Sequence, residues 1–297
     1  MGLDDKATQF LLAARQLGVS LERTVMIGRQ RLHLTESILR RRLADFGITT
    51  DAITVRRLLV ESAGYSEPLL KFLGAEQIRS IDTSEYEGAS LILDLNQSVL
   101  PTLKGMFTTV LDAGTLEHIF NFPIAIRNCM EMVQLGGHLL SVTVTNNMTG
   151  HGFYQFSPEL FYRVLSEHNG FSVTRMLVTE TSSTDWYEVS DPASVGNRVQ
   201  LRTFRPTYLC VIAKRVALKP LLESMPQQSD YVTRWEQADD ASKIPVSTDL
   251  HAVERNAPLR IAMAIKSLYH LLQATVLPFD RTSFRRVEIT ELNRNTL

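Results

Sequence analysis

The sequence has few cysteines and no visible targeting segment. Its 297 residues contain only two cysteines, Cys129 and Cys210, which lie far apart in apolar stretches. This usage is typical of a reduced protein with buried thiols and argues against a disulfide framework. The first residues carry acidic side chains rather than a basic segment followed by an apolar run, so no signal peptide is expected. We therefore expect a cytoplasmic protein.

An excess of charge of one sign and a long apolar run are also missing. Lys and Arg total 31 against 32 Asp and Glu, so we expect no nucleic-acid partner. The best candidate for a membrane span, residues 258–277, contains Arg260, Lys266 and His270, so no membrane span is expected. With 44% hydrophobic and 21% charged residues, the composition is that of an ordinary globular protein.

Apolar periodicity predicts strands that alternate with helices. The predicted strands cover residues 24–27, 77–82, 90–95, 107–112, 138–145, 173–178 and 205–216. The predicted helices cover residues 3–17, 34–46, 51–62, 67–73, 123–133 and 158–165. This alternation predicts an α/β fold with a mostly parallel seven-stranded sheet and helices on both faces.

A boundary is predicted near residue 219, where prolines and a polar stretch interrupt the pattern. Residues 1–218 then form an α/β domain. Residues 219–297 form a C-terminal appendage with one amphipathic helix near residues 258–276. The appendage holds too few apolar residues for a core of its own.

Polar and small residues follow the predicted strands, and ligands of open parallel sheets bind at such strand ends. The candidates that follow the first four strands are Gly28, Arg29, Gln30, Asp82, Ser84, Asp94, Leu95, Asp112, Gly114, Thr115 and His118, and His151 follows the fifth. If the fold is correct, these residues share one rim. Asp82 can accept hydrogen bonds from a ribose diol or cap a turn. Asp94 can accept from an adenine amino group or cap the next turn.

Two motifs carry a family resemblance. The run V-L-D-A-G-T-L-E-H at residues 110–118, followed by a helix and V-Q-L-G-G-H-L-L at residues 133–140, resembles class I S-adenosylmethionine-dependent methyltransferases. Residues 146–162 contain a GHGFYQFSP-type segment and look like a divergent bacterial branch of methyltransferase-like proteins, often linked to surface-glycan or secondary metabolism. The resemblance covers about residues 22–216. It implies a Rossmann-like sheet and S-adenosylmethionine as the cofactor.

The glycine-rich loop that this family has after the first strand is missing. Gly28 is followed by Arg29 and Gln30. The resemblance implies a split loop, in which residues from about 29 to 62 form a helical insertion and Gly64 resumes the loop. Arg29 or Gln30 could then bind the methionine carboxylate of the cofactor, and arginine suits this because its guanidinium is bidentate. The alternative is a structural ion pair at Arg29 in a site that no longer holds the cofactor.

The predicted catalytic residues are His151, His118 and Tyr154. Methyl transfer often requires removal of a proton, and histidine is the usual base near neutral pH. His151 lies between Gly150 and Gly152, where a flexible loop could present it to an acceptor; a loop-stabilising role is equally open. His118 could instead hydrogen-bond the scaffold. Tyr154 could line an acceptor pocket or pack in the core.

A metal site is not expected. Asp112, Glu117, His118 and His151 could cluster at the rim. However, the sequence has no cysteine-rich or His-x-x-x-His spacing that would support a metal site.

The resemblance and the strand-end acids together predict an S-adenosylmethionine-dependent methyltransferase. It would act on an oxygen or nitrogen of a small molecule or glycan sugar by in-line transfer. The alternative is a non-catalytic binding or scaffolding protein of the same fold. A nicotinamide-dependent enzyme is disfavoured because no G-x-G-x-x-G follows the first strand. A homodimer through the C-terminal helix is the possible protein partner.

Overall fold

The computed structural model describes residues 2–241 and 282–295. The strands are β1 Arg23–Ile27, β2 Gln77–Asp82, β3 Leu91–Ile92, β4 Phe107–Ala113, β5 Val133–Asn146, β6 Phe171–Glu180, β7 Trp186–Val189, β8 Thr207–Arg215 and β9 Phe284–Val287. The helices are α1 Asp5–Gln16, α2 Glu36–Asp45, α3 Ala52–Val60, α4 Glu67–Phe72, α5 Phe122–Met132, α6 Pro158–Val164, α7 Pro192–Val195 and α8 Ser229–Ala241.

The strands form one sheet in the order β3-β2-β1-β4-β5-β8-β6-β7-β9. The first five strands along the chain are parallel to one another. Strand β8 lies antiparallel between β5 and β6. Strands β2 and β3 lie on one side of β1, whereas β4 and β5 lie on its other side. The strand order therefore reverses between β1 and β4. This reversal is the topological switch point, where doubly wound sheets bind their ligands.

The predicted α/β class is confirmed, whereas the predicted number of seven strands is wrong. The described residues add two strands, β7 and β9, which pair antiparallel with each other at one edge of the sheet. The strand predicted at residues 90–95 is also shorter, because β3 ends at Ile92. Asp94 then turns the chain by accepting hydrogen bonds from the backbone and side chain of Asn96.

Both faces of the sheet are covered by helices, because successive strand residues point to opposite sides. Val25 and Ile27 pack into the core on the side of α5 and α6. Met26 packs into the second core, on the side of α1, α2, α3 and α4. Strands buried on both faces form a rigid base, and the loops at their carboxyl ends are fixed by it.

The segment between β1 and α4 is helical, as a helical insertion predicts. Thr35 is the N-cap of α2, and its hydroxyl accepts from the Ile38 amide at 3.3 Å. Asp51 caps α3 in the same way at the Thr54 amide. Leu39 of α2 is fully buried, so the insertion packs on the sheet.

The C-terminal residues divide into a described and an undescribed part. The amphipathic helix predicted near residues 258–276, with the dimer proposed through it, lies outside the described residues. Residues 284–287 form β9, and Ile289 and Leu292 are buried in the core that contains α1. Among the described helices, none has the length and apolar character needed to cross a bilayer.

Candidate functional site

The carboxyl ends of β1 and β4 meet closely at the switch point. Gly28 has a φ of +70° and donates its amide to the Ile81 carbonyl. The Thr115 hydroxyl donates to the Ile27 carbonyl at 2.7 Å. A Cβ atom added to Gly28 would lie 2.5 Å from the Thr115 hydroxyl oxygen. Glycine is therefore required at position 28 both by its backbone conformation and by the approach of Thr115.

A side chain, rather than a glycine-rich loop, shapes the turn after β1. The Gln30 side chain is buried and donates from Nε2 to the carbonyls of Ile27 and Gly28, at 2.6 and 3.3 Å. The carbonyl of Gln30 accepts from the Ser66 amide, and Gly64 accepts from the Leu32 amide. The two halves of the predicted split loop therefore lie side by side.

Arg29 is engaged with protein groups in this conformation. Its Nε lies 2.7 Å from Glu67 Oε1, and its Nη1 donates to the Glu87 carbonyl. The guanidinium also stacks over the Tyr65 ring at 4.0 Å, and Arg31 stacks on the same ring at 4.4 Å. Glu67 balances the charge of Arg29, so a cofactor carboxylate would have to replace Glu67 to bind there.

The acids that follow β2 and β3 both build turns. Asp82 is partly exposed, and its Oδ1 accepts from the Ser84 amide at 3.0 Å. Asp94 accepts from Asn96, and these hydrogen bonds lower the pKa of Asp94. Leu95 is buried beside it. Within the part of the chain that the structure describes, Oδ2 of Asp82 receives no hydrogen bond, so this oxygen is available to a ligand.

Asp112 is a fully buried carboxyl that organises the turn after β4. Its Oδ1 accepts from the amides of Thr115 and Leu116, and its Oδ2 accepts from the Ser141 hydroxyl at 2.8 Å. Burial raises the pKa of Asp112. Gly114 has a φ of +92°. Together they fold residues 116–118 into a helical turn that points Glu117 and His118 to the rim.

Glu117 is also fully buried, and only one of its oxygens is hydrogen-bonded. Oε2 accepts from the Thr143 hydroxyl at 3.0 Å, whereas Oε1 has no partner. The nearest cation-forming atom is Nε2 of His151, 3.7 Å from Oε1. Burial raises the pKa of Glu117, and the charge of Asp112 adds to this effect. In the sequence, Glu117 stands out by its place in the L-E-H triplet, and it is a candidate only for the metal cluster that the ligand spacing does not support.

The two predicted histidines lie together at this rim. The rings of His118 and His151 meet edge to face, with 5.0 Å between their centroids. Burial lowers the pKa of both rings, and for His118 the neighbouring His151 adds to this effect. Both rings therefore favour the neutral form, which has a free lone pair on one nitrogen.

The loop after β5 is tied to the turn after β4 through the backbone. The Glu117 carbonyl accepts from the amides of Phe153 and Tyr154, at 2.8 and 3.3 Å. The Tyr154 hydroxyl donates to the Phe120 carbonyl at 2.7 Å. Phe120 and Phe153 are 72% and 66% exposed and pack edge to face. This exposed aromatic pair lies next to the two histidines.

A cavity elsewhere in the molecule does not involve the rim. It has a volume of about 390 Å³ and lies beside α6, lined in part by Glu159, Arg163 and Arg198. The two arginines are paired with Asp191 and Asp230. None of the strand-end residues lines this cavity, so it is not the predicted cofactor site.

Comparisons with known proteins give similarity at the level of structure alone. No family model matches the sequence, and no curated protein matches it. The chain is 13% identical to the N-methyltransferase NodS from Bradyrhizobium japonicum WM9, covering 71% of this chain and 94% of that one with a TM-score of 0.39. It is 10% identical to the 1,6-didemethyltoxoflavin-N1-methyltransferase of Burkholderia thailandensis with bound 1,6-didemethyltoxoflavin and S-adenosylhomocysteine, covering 72% and 79% with a TM-score of 0.39. It is 15% identical to the [4+2]-cyclase SpnF, covering 60% of each chain with a TM-score of 0.37.

Proposed function

We propose that this protein is an S-adenosylmethionine-dependent methyltransferase that acts on an oxygen or nitrogen of a small molecule or glycan sugar. One observation supports this more than any other: two kinds of polar group share the rim of a doubly wound sheet. Strand-end carboxylates with a free oxygen lie beside the switch point, and a buried glutamate with two neutral histidines lies at the exits of β4 and β5. The first group suits a nucleoside, and the second suits an acceptor that must lose a proton.

The residues at the first site fit the cofactor chemically. Asp82 has one oxygen held in its turn and one oxygen free for a ribose hydroxyl. Asp94 is the proposed partner of the adenine amino group, and Arg29 is the proposed partner of the carboxylate after exchange with Glu67. The other proposed cofactor residues form the turns around this site. They are Gly28, Gln30, Gly64, Ser84, Leu95, Asp112, Gly114 and Thr115. When bound, the cofactor supplies a methyl group on a sulfonium centre.

The acceptor is proposed to bind beside His118, His151 and Tyr154. His151 is the proposed base, because its ring favours the neutral form and lies at the rim beside the proposed acceptor position. The Tyr154 hydroxyl fixes one side of the proposed acceptor site through its hydrogen bond to the Phe120 carbonyl. The exposed ring of Phe153 offers a flat apolar surface for a sugar or an aromatic ring.

A second candidate function is supported by the closed turn after β1. Gln30 fills this turn with its own side chain, and Arg29 is already paired with Glu67. A protein that had lost the cofactor could keep such contacts for stability alone. The alternative is therefore a non-catalytic binding or scaffolding protein of the same fold.

Calorimetric titration with S-adenosylhomocysteine and S-adenosylmethionine, with NAD as control, tests the proposal. We expect saturable binding of the first two, and Asp82→Asn should weaken it by roughly 10- to 100-fold, since a hydrogen bond to a charged group contributes about 1.5–3 kcal/mol. Asp51→Asn is the matched control, because Asp51 also accepts a backbone amide but caps α3. Equal affinity of Asp82→Asn would remove the ribose assignment. No heat with any of the three ligands would favour the non-catalytic alternative.

A further inference from the structure

Three potential metal ligands converge where β4 and β5 end. Within residues 2–241 and 282–295, Glu117, His118 and His151 bring one ligand atom each to within 4.8 Å of one another. The three come from two segments that the backbone bonds of Glu117 hold together. The fold therefore sets the backbone positions of all three, with the Glu117 side chain buried, the His151 side chain partly exposed and the His118 side chain exposed.

The polar groups of this cluster lack partners. Glu117 is fully buried, yet its Oε1 has no hydrogen bond, and the buried Nε2 of His151 has none either. These two atoms are 3.7 Å apart, which is too long for a hydrogen bond. An unpaired buried polar atom is unfavourable by about 1–3 kcal/mol. A cation bound between the two atoms would give both a partner.

We propose that Glu117, His118 and His151 bind one divalent transition-metal ion of the zinc class, contrary to the expectation from ligand spacing in the sequence. Two imidazoles and one carboxylate are a common protein ligand set for catalytic zinc, with a fourth position left open. Ligands about 2.0–2.1 Å from a tetrahedral ion are about 3.3 Å from each other. The 3.7 Å between Glu117 and His151 needs only a small closure, and His118, whose ligand atom lies within 4.8 Å of the other two, would move further by rotation of its exposed side chain. Magnesium and calcium prefer all-oxygen sites and fit less well.

The surroundings of the cluster have the features of a metal site. The second oxygen of Glu117 is held by the Thr143 hydroxyl at 3.0 Å, and such outer hydrogen bonds orient metal ligands. His118 is exposed and the His151 side chain is 29% exposed, so the cluster lies close to the protein surface, while Nε2 of His151 is itself buried. The exposed pair Phe120 and Phe153 flanks that surface.

The ion would define the acceptor class, and this part of the inference rests on the proposed methyltransferase function. A hydroxyl of the acceptor would bind the open position, and the ion would make that hydroxyl more acidic. Its proton would pass to solvent, and the methyl group would move from the sulfonium sulfur to the bound oxygen. The acceptor is thus a flat ring bearing a coordinating hydroxyl, with its face against Phe153. In the ion-loaded protein, His151 is a ligand and no longer the base.

Titration of the chelator-treated full chain with cobalt(II) tests the ion site without any cofactor. Cobalt(II) is the probe because zinc(II), a d¹⁰ ion, has no visible absorption. We expect one cobalt ion per chain, displaced by zinc. Glu117→Gln, His118→Gln and His151→Gln should each weaken binding by at least about tenfold. His168→Gln is the control, since His168 lies on another turn and contacts Ser224, and it should bind cobalt as the wild type does.

The test requires that the variants keep the fold. Glu117→Gln is nearly isosteric, and its side-chain oxygen can still accept a hydrogen bond from Thr143. Circular dichroism and thermal unfolding of each variant check this. Absence of a cobalt spectrum, or equal affinity in folded forms of all three variants, would overturn the ion site. S-adenosylhomocysteine titration of the same samples separates the two proposals. Cofactor binding without cobalt binding removes only the ion, whereas cobalt binding without cofactor binding removes the methyltransferase assignment and the acceptor class.

Discussion

Gly152 lies where the loop that carries His151 approaches the turn that carries Glu117 and His118. It has a φ of +78°, and a Cβ atom added to it would lie 2.7 Å from the Glu117 carbonyl oxygen. A side chain there would strain the backbone and push the loop away from the turn that carries Glu117. Glycine at this position therefore permits the backbone approach on which the cluster depends.

Gly152→Ala is expected to lower the free energy of unfolding by about 1–3 kcal/mol, because it adds left-handed strain and a steric clash. Urea unfolding measures the loss, and cobalt titration should show weaker binding. Gly150→Ala is the matched control, since Gly150 has open space within 4 Å of its added Cβ. Equal stability of the two variants would contradict the close approach of Gly152 to Glu117.

His138 on β5 is a partly buried histidine outside the rim that makes stability depend on pH. It lies opposite Lys214 of β8. Burial, together with the charge of Lys214, lowers the pKa of His138 from 6.5 to about 4. Between these values the unfolded chain binds a proton that the folded chain does not. The contribution of His138 to stability is therefore retained above pH 6.5 and is lost as the pH falls toward 4.

His138→Gln is expected to flatten the pH dependence of unfolding between pH 6.5 and 4. Glutamine cannot take up the proton, so the variant should lose less stability on acidification than the wild type. Urea unfolding at both ends of this range, with His168→Gln as a control, measures the difference. Parallel curves for wild type and His138→Gln would show that His138 is not the responsible group.

At the scale of elements, long apolar strands could be predicted closely. The strand predicted at residues 107–112 is Phe107–Ala113, and that at residues 77–82 is Gln77–Asp82. Each strand has a local apolar signal that one stretch of sequence reveals, from Val110 and Leu111 in β4 and from Ile78 and Ile81 in β2. The L-E-H triplet comes three residues after the predicted fourth strand, and it forms the helical turn Leu116–His118 beyond the carboxyl end of β4.

Short strands could not be predicted in this way. β7 and β9 have four residues each, which is too short for periodicity to separate from chance. Their partners also lie far apart in the chain, since Trp186 pairs with Val287. The turn after β1 was equally hidden, because the Gln30 side chain folds back on Ile27 instead of facing outward. Long-range pairing and side-chain direction are properties of the folded chain.

At the scale of the whole molecule, β9 is the edge strand of the sheet on the side of β7. It pairs antiparallel with β7 over four residues. Arg285 forms an ion pair with Glu188, and Arg286 contacts Asp185 at 2.6 Å. An uncovered edge strand exposes hydrogen-bonding groups that can pair with another chain. Residues 284–287 therefore cover β7 with a short edge strand that carries Arg285 and Arg286, and such a strand is less prone to pair with another chain than β7 would be.

A chain ending at residue 281 is expected to melt at lower temperature and to self-associate more than the full chain. Four buried apolar side chains are lost, each contributing up to roughly 1.5–3 kcal/mol; they are Phe284, Val287, Ile289 and Leu292. Thermal unfolding and sedimentation velocity measure the two effects. Arg286→Ala keeps the strand and should change both only slightly. An unchanged sedimentation profile of the truncated chain would contradict the protective role of β9.

The two cysteines give the molecule a built-in reporter for each side of its sheet. Cys129 lies in the core beside α5, whereas Cys210 lies in the core on the α1 side. Both thiols are fully buried, and burial raises the pKa of each, so they resist alkylation while the fold is closed. The rate at which each thiol is labelled therefore reports how often the core on its own side of the sheet becomes accessible to solvent. A cysteine introduced at the surface would be the single site for attaching a dye or spin label.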